Sequence, residues 1–207
     1  MKKESIKLFH QERIIESADK LFLIKGKEET TVDEIAKEAN YSKATIYVYF
    51  KSKDDIFNHV FLKYMKLLKS RIENGMSESI DAIKQYYSIC EELHLFSEEY
   101  PDYYRLLTTS VQVDVKSKTN DEALEEIFSV GEEINGKVIE IISAGIVQGY
   151  FRVDIEILPM VFIYWSSITS IIEMSNNKNE YIYEQMNLDK KQFLHYSFSN
   201  LLKMILR

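Results

Sequence analysis

The stretch of residues 31–53, TVDEIAKEANYSKATIYVYFKSK, constrains the fold more than any other part of the chain. Its first half predicts a short helix, because the apolar residues recur at the spacing of one helical face. Thr31 supplies a hydroxyl N-cap, and Glu34, three residues later, completes a capping box. Asn40 tolerates the left-handed backbone of a tight turn, and Ser42 can then cap a second helix. The pattern predicts a helix, a turn and a helix.

The second of these helices is expected to turn apolar side chains towards solvent. Ile46 and Phe50 point one way and serve as anchors in a small core. Ala44, Tyr47 and Val48 point the other way, where an isolated helix would leave them uncovered. A DNA major groove would cover that face, because Ala and Val contact thymine methyl groups and Tyr hydroxyls bond phosphate oxygens.

The composition favours an all-α chain. Two Pro and six Gly in 207 residues are few for a sandwich or barrel, which needs many turns.

The single cysteine, Cys90, excludes an internal disulfide framework and is typical of a reducing cytoplasm, the predicted location. The opening MKKESIKLFHQERI lacks the apolar stretch of a signal peptide. The uncharged run at 157–172 is shorter than the ~20 residues of a bilayer span, so we predict no membrane association.

The charge is divided unevenly along the chain. Net charge is −7 overall, but residues 1–70 hold 14 basic and 11 acidic side chains, a balance of +3, which leaves −10 for the remainder. A basic part joined to an acidic part suggests a nucleic-acid-binding module attached to another domain.

About nine helices are predicted in total, arranged as an N-terminal three-helix module and a larger C-terminal bundle. Apolar periodicity and terminator residues place them near 5–25 (stopped by Gly26), 31–40, 42–50, 54–75, 80–100, 103–111, 121–150, 155–174 and from 189 to the C-terminus, with polar or Asn-rich loops at 114–121 and before 189. We assign residues 8–68 to the module and residues 75–207 to the bundle.

Three helices of the bundle carry further predictions. In the segment 121–150, Gly131 and Gly145 fall on the apolar seam, where they would let another backbone or a ligand approach closely, with a glycine kink as the alternative. The helix at 155–174 is apolar on nearly all sides, so it is expected to be buried. The last helix has two apolar sides, which suggests contact with a second copy of the chain. The predicted dimer contacts are Phe193, Tyr196, Leu201 and Ile205.

The sequence TTVDEIAKEANYSKATIYVYFKSKDDIF resembles the DNA-binding region of the TetR/AcrR family of bacterial transcriptional regulators, over about residues 11–68. The resemblance implies an all-helical homodimer whose helix-turn-helix, about residues 31–50, binds operator DNA. It also implies a larger C-terminal domain for dimerisation and for a small ligand that controls DNA binding.

Matching the family motif residue by residue implies a set of DNA-binding positions. These are Thr31, which opens the supporting helix; Ser42, Lys43, Ala44, Thr45, Tyr47 and Tyr49 of the recognition helix; and Lys53, which matches a lysine that meets phosphate. Two residues depart from the motif. Asn40 replaces the usual turn glycine, and Tyr49 replaces the commoner histidine, a change that would affect the preferred operator.

The C-terminal domain is rich in Tyr, Phe, Ile and Met, so we expect an apolar or aromatic effector, with positive charge as an option given the acidic balance. The candidate contacts are Tyr87, Tyr104, Phe128 and Trp165. The competing interpretation is that these side chains only fill a helical core.

The predicted function is that of a ligand-responsive dimeric repressor, bound to a palindromic DNA operator and released by a small molecule. A DNA-binding regulator or adaptor without a ligand is the alternative. A helical enzyme is the least favoured class: no Glu-x-x-His pair, nucleophile elbow or phosphate-binding glycine loop occurs in the sequence. We therefore predict no catalytic residue, no metal and no cofactor.

Overall fold

The computed structural model describes residues 2–109 and 121–207, and within them the chain is all-α, as predicted. These residues form ten helices and no strand, with one antiparallel bridge between Phe151 and Leu206. The helices are α1 (Lys2–Glu29), α2 (Val32–Glu38), α3 (Lys43–Tyr49), α4 (Lys53–Ser77), α5 (Ala82–Glu99), α6 (Pro101–Thr109), α7 (Glu122–Val147), α8 (Ile157–Asn177), α9 (Asn179–Met186) and α10 (Lys190–Leu202).

The additional helix is α9, which occupies most of the predicted Asn-rich loop. It has eight residues and buries only Ile182, so it lacks the repeated apolar face that identifies a helix in sequence. Asn187 ends it in the left-handed conformation. The end of the helix predicted at 103–111 and nearly all of the loop predicted at 114–121 lie outside the described residues.

Two backbone positions confirm the predicted breaks near the N-terminus. Gly26 has φ 81° and ψ 164° and interrupts α1, three residues before its last residue. Asn40 has φ 59°, the left-handed conformation expected for the turn between α2 and α3.

The described chain divides into two compact units, of which the first comprises residues 2–66 and 121–130. Its core contains Ile14, Ala18 and Phe22 from α1 together with apolar residues of α2, α3 and α4. The buried carboxylate of Asp19 accepts hydrogen bonds from Tyr64 Oη and, at 2.8 Å, from Lys63 Nζ. A buried charge needs such partners, so these bonds fix α4 on α1.

The second unit comprises residues 67–109 and 131–207, and in it α8 packs against α5 and α10. Tyrosine hydroxyls join these helices. Tyr86 of α5 donates to the Phe198 carbonyl, and Tyr164 of α8 donates to the Leu201 carbonyl, each at 2.9 Å. Burial raises the pKa of both hydroxyls above the ordinary tyrosine value, so they remain protonated donors.

Gly145 is closely approached, as predicted, but by the side chain of Phe151 rather than by the expected backbone or ligand. A Cβ atom at Gly145 would overlap the ring of Phe151. No residue of α7 has a positive φ, and the helix runs from Glu122 to Val147 as one element, which disfavours the kink.

The prediction that the helix at 155–174 is buried is wrong in part. Leu158, Phe162, Ile163 and Met174 of α8 are 40–66% exposed. Among residues 2–109 and 121–207, α8 alone has the length and hydropathy to cross a membrane, and 28% of its most apolar window is buried. Core helices of soluble proteins meet the same two criteria, and one side of α8 packs on α5 and α10.

Candidate nucleic-acid interface

The supporting helix α2 begins with the predicted capping box. The Thr31 hydroxyl accepts a hydrogen bond from Glu34 N at 3.3 Å, and Glu34 Oε2 accepts one from Thr31 N at 2.9 Å. Lys25 Nζ donates to Glu34 Oε1 at 2.6 Å. The bond from Lys25, followed by those from Thr31, lowers the pKa of Glu34 to about 2. The start of α2 is thus fixed by its own first turn.

The second helix, α3, is anchored as predicted. Ser42 Oγ accepts a hydrogen bond from Thr45 N at 3.0 Å and caps the helix. Ile46 and Phe50 are 0% and 1% exposed and hold α3 on the module. Because α3 has only seven residues, these anchors, rather than its own hydrogen bonds, keep it helical.

The opposite face of α3 is turned to solvent, which confirms the predicted orientation. Tyr47 is 50% exposed and Val48 is 74% exposed, and Lys43 and Ala44 are also exposed. Tyr49 is half-buried at one edge. An apolar and aromatic strip is therefore exposed on a helix that is itself rigidly seated.

The ammonium group of Lys43 has a partner within the module. Its Nζ donates to Asp33 Oδ2 of α2 at 2.8 Å, and both side chains are exposed. The hydrogen bond and the charge of Asp33 raise the pKa of Lys43. A ligand anion at Lys43 would have to displace this carboxylate.

Lys53 is placed differently from the phosphate-binding role that was expected for it. Its Nζ donates to three backbone carbonyls, Lys27 at 2.8 Å, Glu28 at 3.1 Å and Thr30 at 3.0 Å. An ammonium group has three donors, so all of them are used. The geometry gives Lys53 a structural role as a cap for the end of α1. Its contact with phosphate stays a prediction, and the occupied donors lead us to expect no such contact.

A cluster that sequence reasoning missed joins α1 to both ends of α3. His10 Nδ1 and the Tyr41 hydroxyl share a hydrogen bond of 2.6 Å. The His10 ring centroid lies 5.4 Å from that of Tyr41 and 5.5 Å from that of Tyr49. Arg13 lies over the Tyr41 ring at 5.4 Å. The bonded residues are 31 positions apart, so no local spacing could have indicated them.

Residues 14–60, from α1 to the first turns of α4, match the model of the bacterial regulatory proteins of the tetR family. This segment is a tetR-family DNA-binding region.

Curated relatives match about a third of the chain. An uncharacterized HTH-type transcriptional regulator of Bacillus subtilis, YhgD, is 39% identical over 67 residues, which are 32% of this chain and 35% of that protein. IcaR of Staphylococcus aureus, named as a negative transcriptional regulator of the biofilm operon icaADBC, is 35% identical over 79 residues, 37% of this chain and 42% of that protein. The chain thus aligns with well under half the length of these relatives.

Solved structures resemble the fold over nearly the whole chain. The transcriptional regulator FadR of Bacillus subtilis, solved in complex with stearoyl-CoA, has a TM-score of 0.68 at 17% identity and covers 92% of this chain and 96% of its own. A TetR/AcrR regulator of Thermobifida fusca has a TM-score of 0.69 at 17% identity, with coverage of 93% and 96%. At this identity the likeness concerns the fold alone.

The four candidate effector residues have different surroundings. Trp165 lines an apolar slot in the second unit, whereas Tyr87 lines a separate groove there and bonds Ser199 Oγ at 2.9 Å. Tyr104 is 3% exposed and donates to the Thr169 carbonyl at 3.1 Å. Phe128 belongs to the first unit and is 40% exposed.

The two cavities differ in size and chemistry. The apolar slot has a volume of about 20 Å³, enough for one water molecule, and is lined by aromatic and aliphatic side chains, among them Tyr86, Phe151, Tyr164 and Trp165. The groove lies among α4, α5 and α10 and has a volume of about 670 Å³. Its lining is mixed and includes Glu78, Glu91, Glu92 and two lysines.

The four candidate dimer residues lie on different sides of the C-terminal segment. Tyr196 is 63% exposed and Phe193 is half-buried. Leu201 and Ile205 are 8% and 1% exposed and pack within their own protomer. Within the described part of the chain, no group of three or more His, Cys, Asp or Glu side chains could hold a metal ion.

Proposed function

We propose that this chain is a TetR-family transcriptional repressor that binds a palindromic operator as a homodimer, with α3 as the recognition helix. The observation that carries the proposal is the exposed face of α3. Tyr47 and Val48 are 50% and 74% exposed, whereas Ile46, on the other face of the same helix, is fully buried. Large side chains held outward on a rigid helix fit a major groove.

Each exposed side chain has a matching group on DNA. The methyl groups of Ala44 and Val48 suit thymine methyls, and the hydroxyls of Thr45, Tyr47 and Tyr49 suit phosphate oxygens. Ser42, near the helix start, adds a further hydroxyl. Lys43 would exchange Asp33 for phosphate, a charge-for-charge replacement, or for the neutral acceptors of guanine.

The assignment as a repressor has support from one relative. IcaR of Staphylococcus aureus, whose name describes a negative regulator, shares 35% identity with this chain over 79 residues. A protein that occupies an operator and is released by a ligand would repress by obstruction, so we adopt repression over activation.

We infer that the dimer forms through the exposed side of α8 together with α10. Leu158 and Phe162 of α8 are 63% and 66% exposed, and Tyr196 of α10 is 63% exposed. Ser166 and Ser170 continue the α8 strip at four-residue steps and are small enough for close helix contact. A second copy would cover this strip, and a two-fold dimer would present two α3 helices to half-sites ~34 Å apart.

For the effector, we infer an apolar ligand that enters the slot beside Trp165. The slot is lined by apolar and aromatic groups, and the structural neighbour FadR was solved with stearoyl-CoA. A slot of about 20 Å³ must widen to admit such a molecule, so the ligand would favour a different packing of α5, α7 and α8 and thereby shift the DNA affinity.

The small volume also favours a second candidate, a DNA-binding regulator without a small-molecule ligand. A C-terminal unit whose apolar slot has room for only one water molecule would serve dimerisation alone.

DNA binding is tested by selection of duplexes from a randomised library with the full-length protein. We expect inverted half-sites about one helical turn apart. Fluorescence anisotropy on the selected duplex should show that Tyr47→Ala binds at least about tenfold more weakly, with an unchanged melting temperature because the side chain is half exposed. Tyr181→Ala, at an exposed tyrosine of α9, is the matched control. The absence of any enriched duplex would refute the proposal. So would a Tyr47→Ala variant that binds the selected duplex with the affinity of the parent.

The effector proposal is tested with the only tryptophan of the chain, Trp165, which lines the slot. We expect stearoyl-CoA or stearic acid to change its fluorescence and to release the selected duplex, with coenzyme A alone as the control. If neither acyl probe changes the emission or the DNA affinity, the ligand-free regulator is favoured.

A further inference from the structure

The cluster around His10 touches both ends of the recognition helix. Tyr41 directly precedes the N-cap Ser42, and Tyr49 is the last residue of α3. His10 shares its 2.6 Å hydrogen bond with the Tyr41 hydroxyl and lies 5.5 Å, ring to ring, from Tyr49. His10 also precedes the segment 14–60 that matches the family model. One side chain of α1 therefore contacts the entry and the exit of α3.

We propose that His10 is a positioning residue for DNA recognition, which holds the rings of Tyr41 and Tyr49, and so the two ends of α3, in the orientation that meets DNA. This inference rests on the proposed DNA-binding function and assigns a role to a residue that does not itself need to touch DNA.

The ends of α3 need such support. A helix of seven residues is not stable alone, and its last turn frays first. Ile46 and Phe50 anchor one face, but Tyr49 points along the other edge. At the entry, Asn40 has φ 59°, a conformation that costs free energy in a non-glycine residue, so the turn needs neighbours that keep it in place.

Tyr41 is held from two positions one helical turn apart on α1. The His10 ring meets the Tyr41 ring edge to face, at 79°, and the Arg13 guanidinium lies 5.4 Å from the Tyr41 ring centroid. Edge-to-face pairs and cation–π contacts both restrict ring rotation. The Tyr41 hydroxyl is fixed by His10 as well, so the rotamer is set before DNA arrives.

Preorganisation of this kind acts on affinity and selectivity. Without His10, the Tyr41 and Tyr49 side chains would be ordered only on binding, which weakens the complex. The loss should be larger on the selected duplex, where Tyr49 must meet a defined site, than on unrelated DNA, which is held by phosphate contacts that need little orientation.

The test uses full-length variants, the duplex enriched from the randomised library and a scrambled duplex of equal length. We expect His10→Ala to bind the enriched duplex about fivefold or more weakly, because two side chains are no longer preordered, and to lose less on the scrambled duplex. His10→Asn, which retains a polar group near the position of Nδ1, should restore part of the loss. Tyr41→Phe removes only the hydrogen bond and should lose part of what His10→Ala loses. The double variant should be no weaker than His10→Ala, because that bond is already absent there.

His195→Ala is the matched control, since His195 also stacks on a tyrosine, Tyr87, but lies in the second unit. Affinities are measured at a temperature where circular dichroism shows each variant to be folded. The inference is overturned if His10→Ala binds the enriched duplex within twofold of the parent, or if it loses equally on both duplexes, which is the result for a purely structural contact. If the parent enriches no duplex, the proposed DNA-binding function fails first and this inference with it.

Discussion

Replacement of Lys53 by methionine should destabilise the first unit rather than remove a DNA contact. The ammonium donates to the carbonyls of Lys27, Glu28 and Thr30, the first and last of these bonds being partly buried. Methionine keeps most of the stem and deletes only the charge and the donors. About 1 kcal/mol for each partly buried bond, and a few tenths for the exposed one, give a loss of about 2 kcal/mol. The favourable charge at the end of α1 adds about 0.5 kcal/mol.

For a chain of this length, the total of about 2.5 kcal/mol corresponds to a fall in melting temperature of about 5–10 °C. Far-UV circular dichroism follows the loss of helix in both units, whereas Trp165 fluorescence reports the second unit, so the larger shift should appear in circular dichroism. Lys37→Met, at an exposed lysine of α2, is the control and should melt like the parent. Lys53→Arg should rescue little, because a planar guanidinium does not direct three donors at converging carbonyls.

DNA affinity supplies the decisive comparison. Below its melting transition, Lys53→Met should bind the selected duplex within about threefold of the parent, since the ammonium is already fully engaged. A variant with parental stability that binds DNA tenfold more weakly, with a reduced dependence on salt, would show that Lys53 meets phosphate and that its bonds to α1 contribute nothing.

Three further predictions follow from single contacts. Asp33→Asn should strengthen DNA binding about threefold in anisotropy titrations, because it frees Lys43 from a 2.8 Å ion pair; unchanged affinity would mean that Lys43 does not reach DNA. Gly145→Ala should lower the free energy of unfolding by about 1–3 kcal/mol in urea titrations, because its Cβ would overlap the Phe151 ring, and parental stability would show that the ring moves freely. Gly26→Ala should cost about 1 kcal/mol through its φ of 81° alone, since no atom lies within 4 Å of the added Cβ, and a stabilised variant would contradict this.

The recognition module was predictable because its signals are local. The capping box of Thr31 and Glu34, the left-handed Asn40 and the burial of Ile46 against the exposure of Val48 all depend on residues within one or two helical turns. Such features depend on the helical repeat and on hydrogen bonds between residues near in sequence, so residue type and spacing are enough to predict them.

The roles that sequence could not give depend on distant partners. Lys53 bonds carbonyls 23–26 residues earlier, and His10 bonds a hydroxyl 31 residues later. The family motif assigns Lys53 a phosphate contact, and only the fold shows that the end of α1 takes all of its donors. His10 has no motif at all.

The effector residues were the least predictable part, because an aromatic side chain in a helical bundle is recognised in the same way whether it lines a cavity or fills a core. Tyr104 fills the core, Phe128 lies on the first unit, and only Trp165 faces the apolar slot. The burial expected for α8 failed for a related reason, since a helix that is apolar on all sides can be covered by its own chain or by another.

The two tyrosines that line the slot can transmit the effect of a bound ligand to α10 of the second unit. Tyr86 and Tyr164 present their rings to the slot while their hydroxyls are bonded to α10, at the carbonyls of Phe198 and Leu201. A molecule that turns either ring must break a buried bond to α10 or draw that helix along with it. The slot and the helix that bears Tyr196 therefore share a mechanical linkage, one that Tyr→Phe substitutions would uncouple while leaving the slot aromatic.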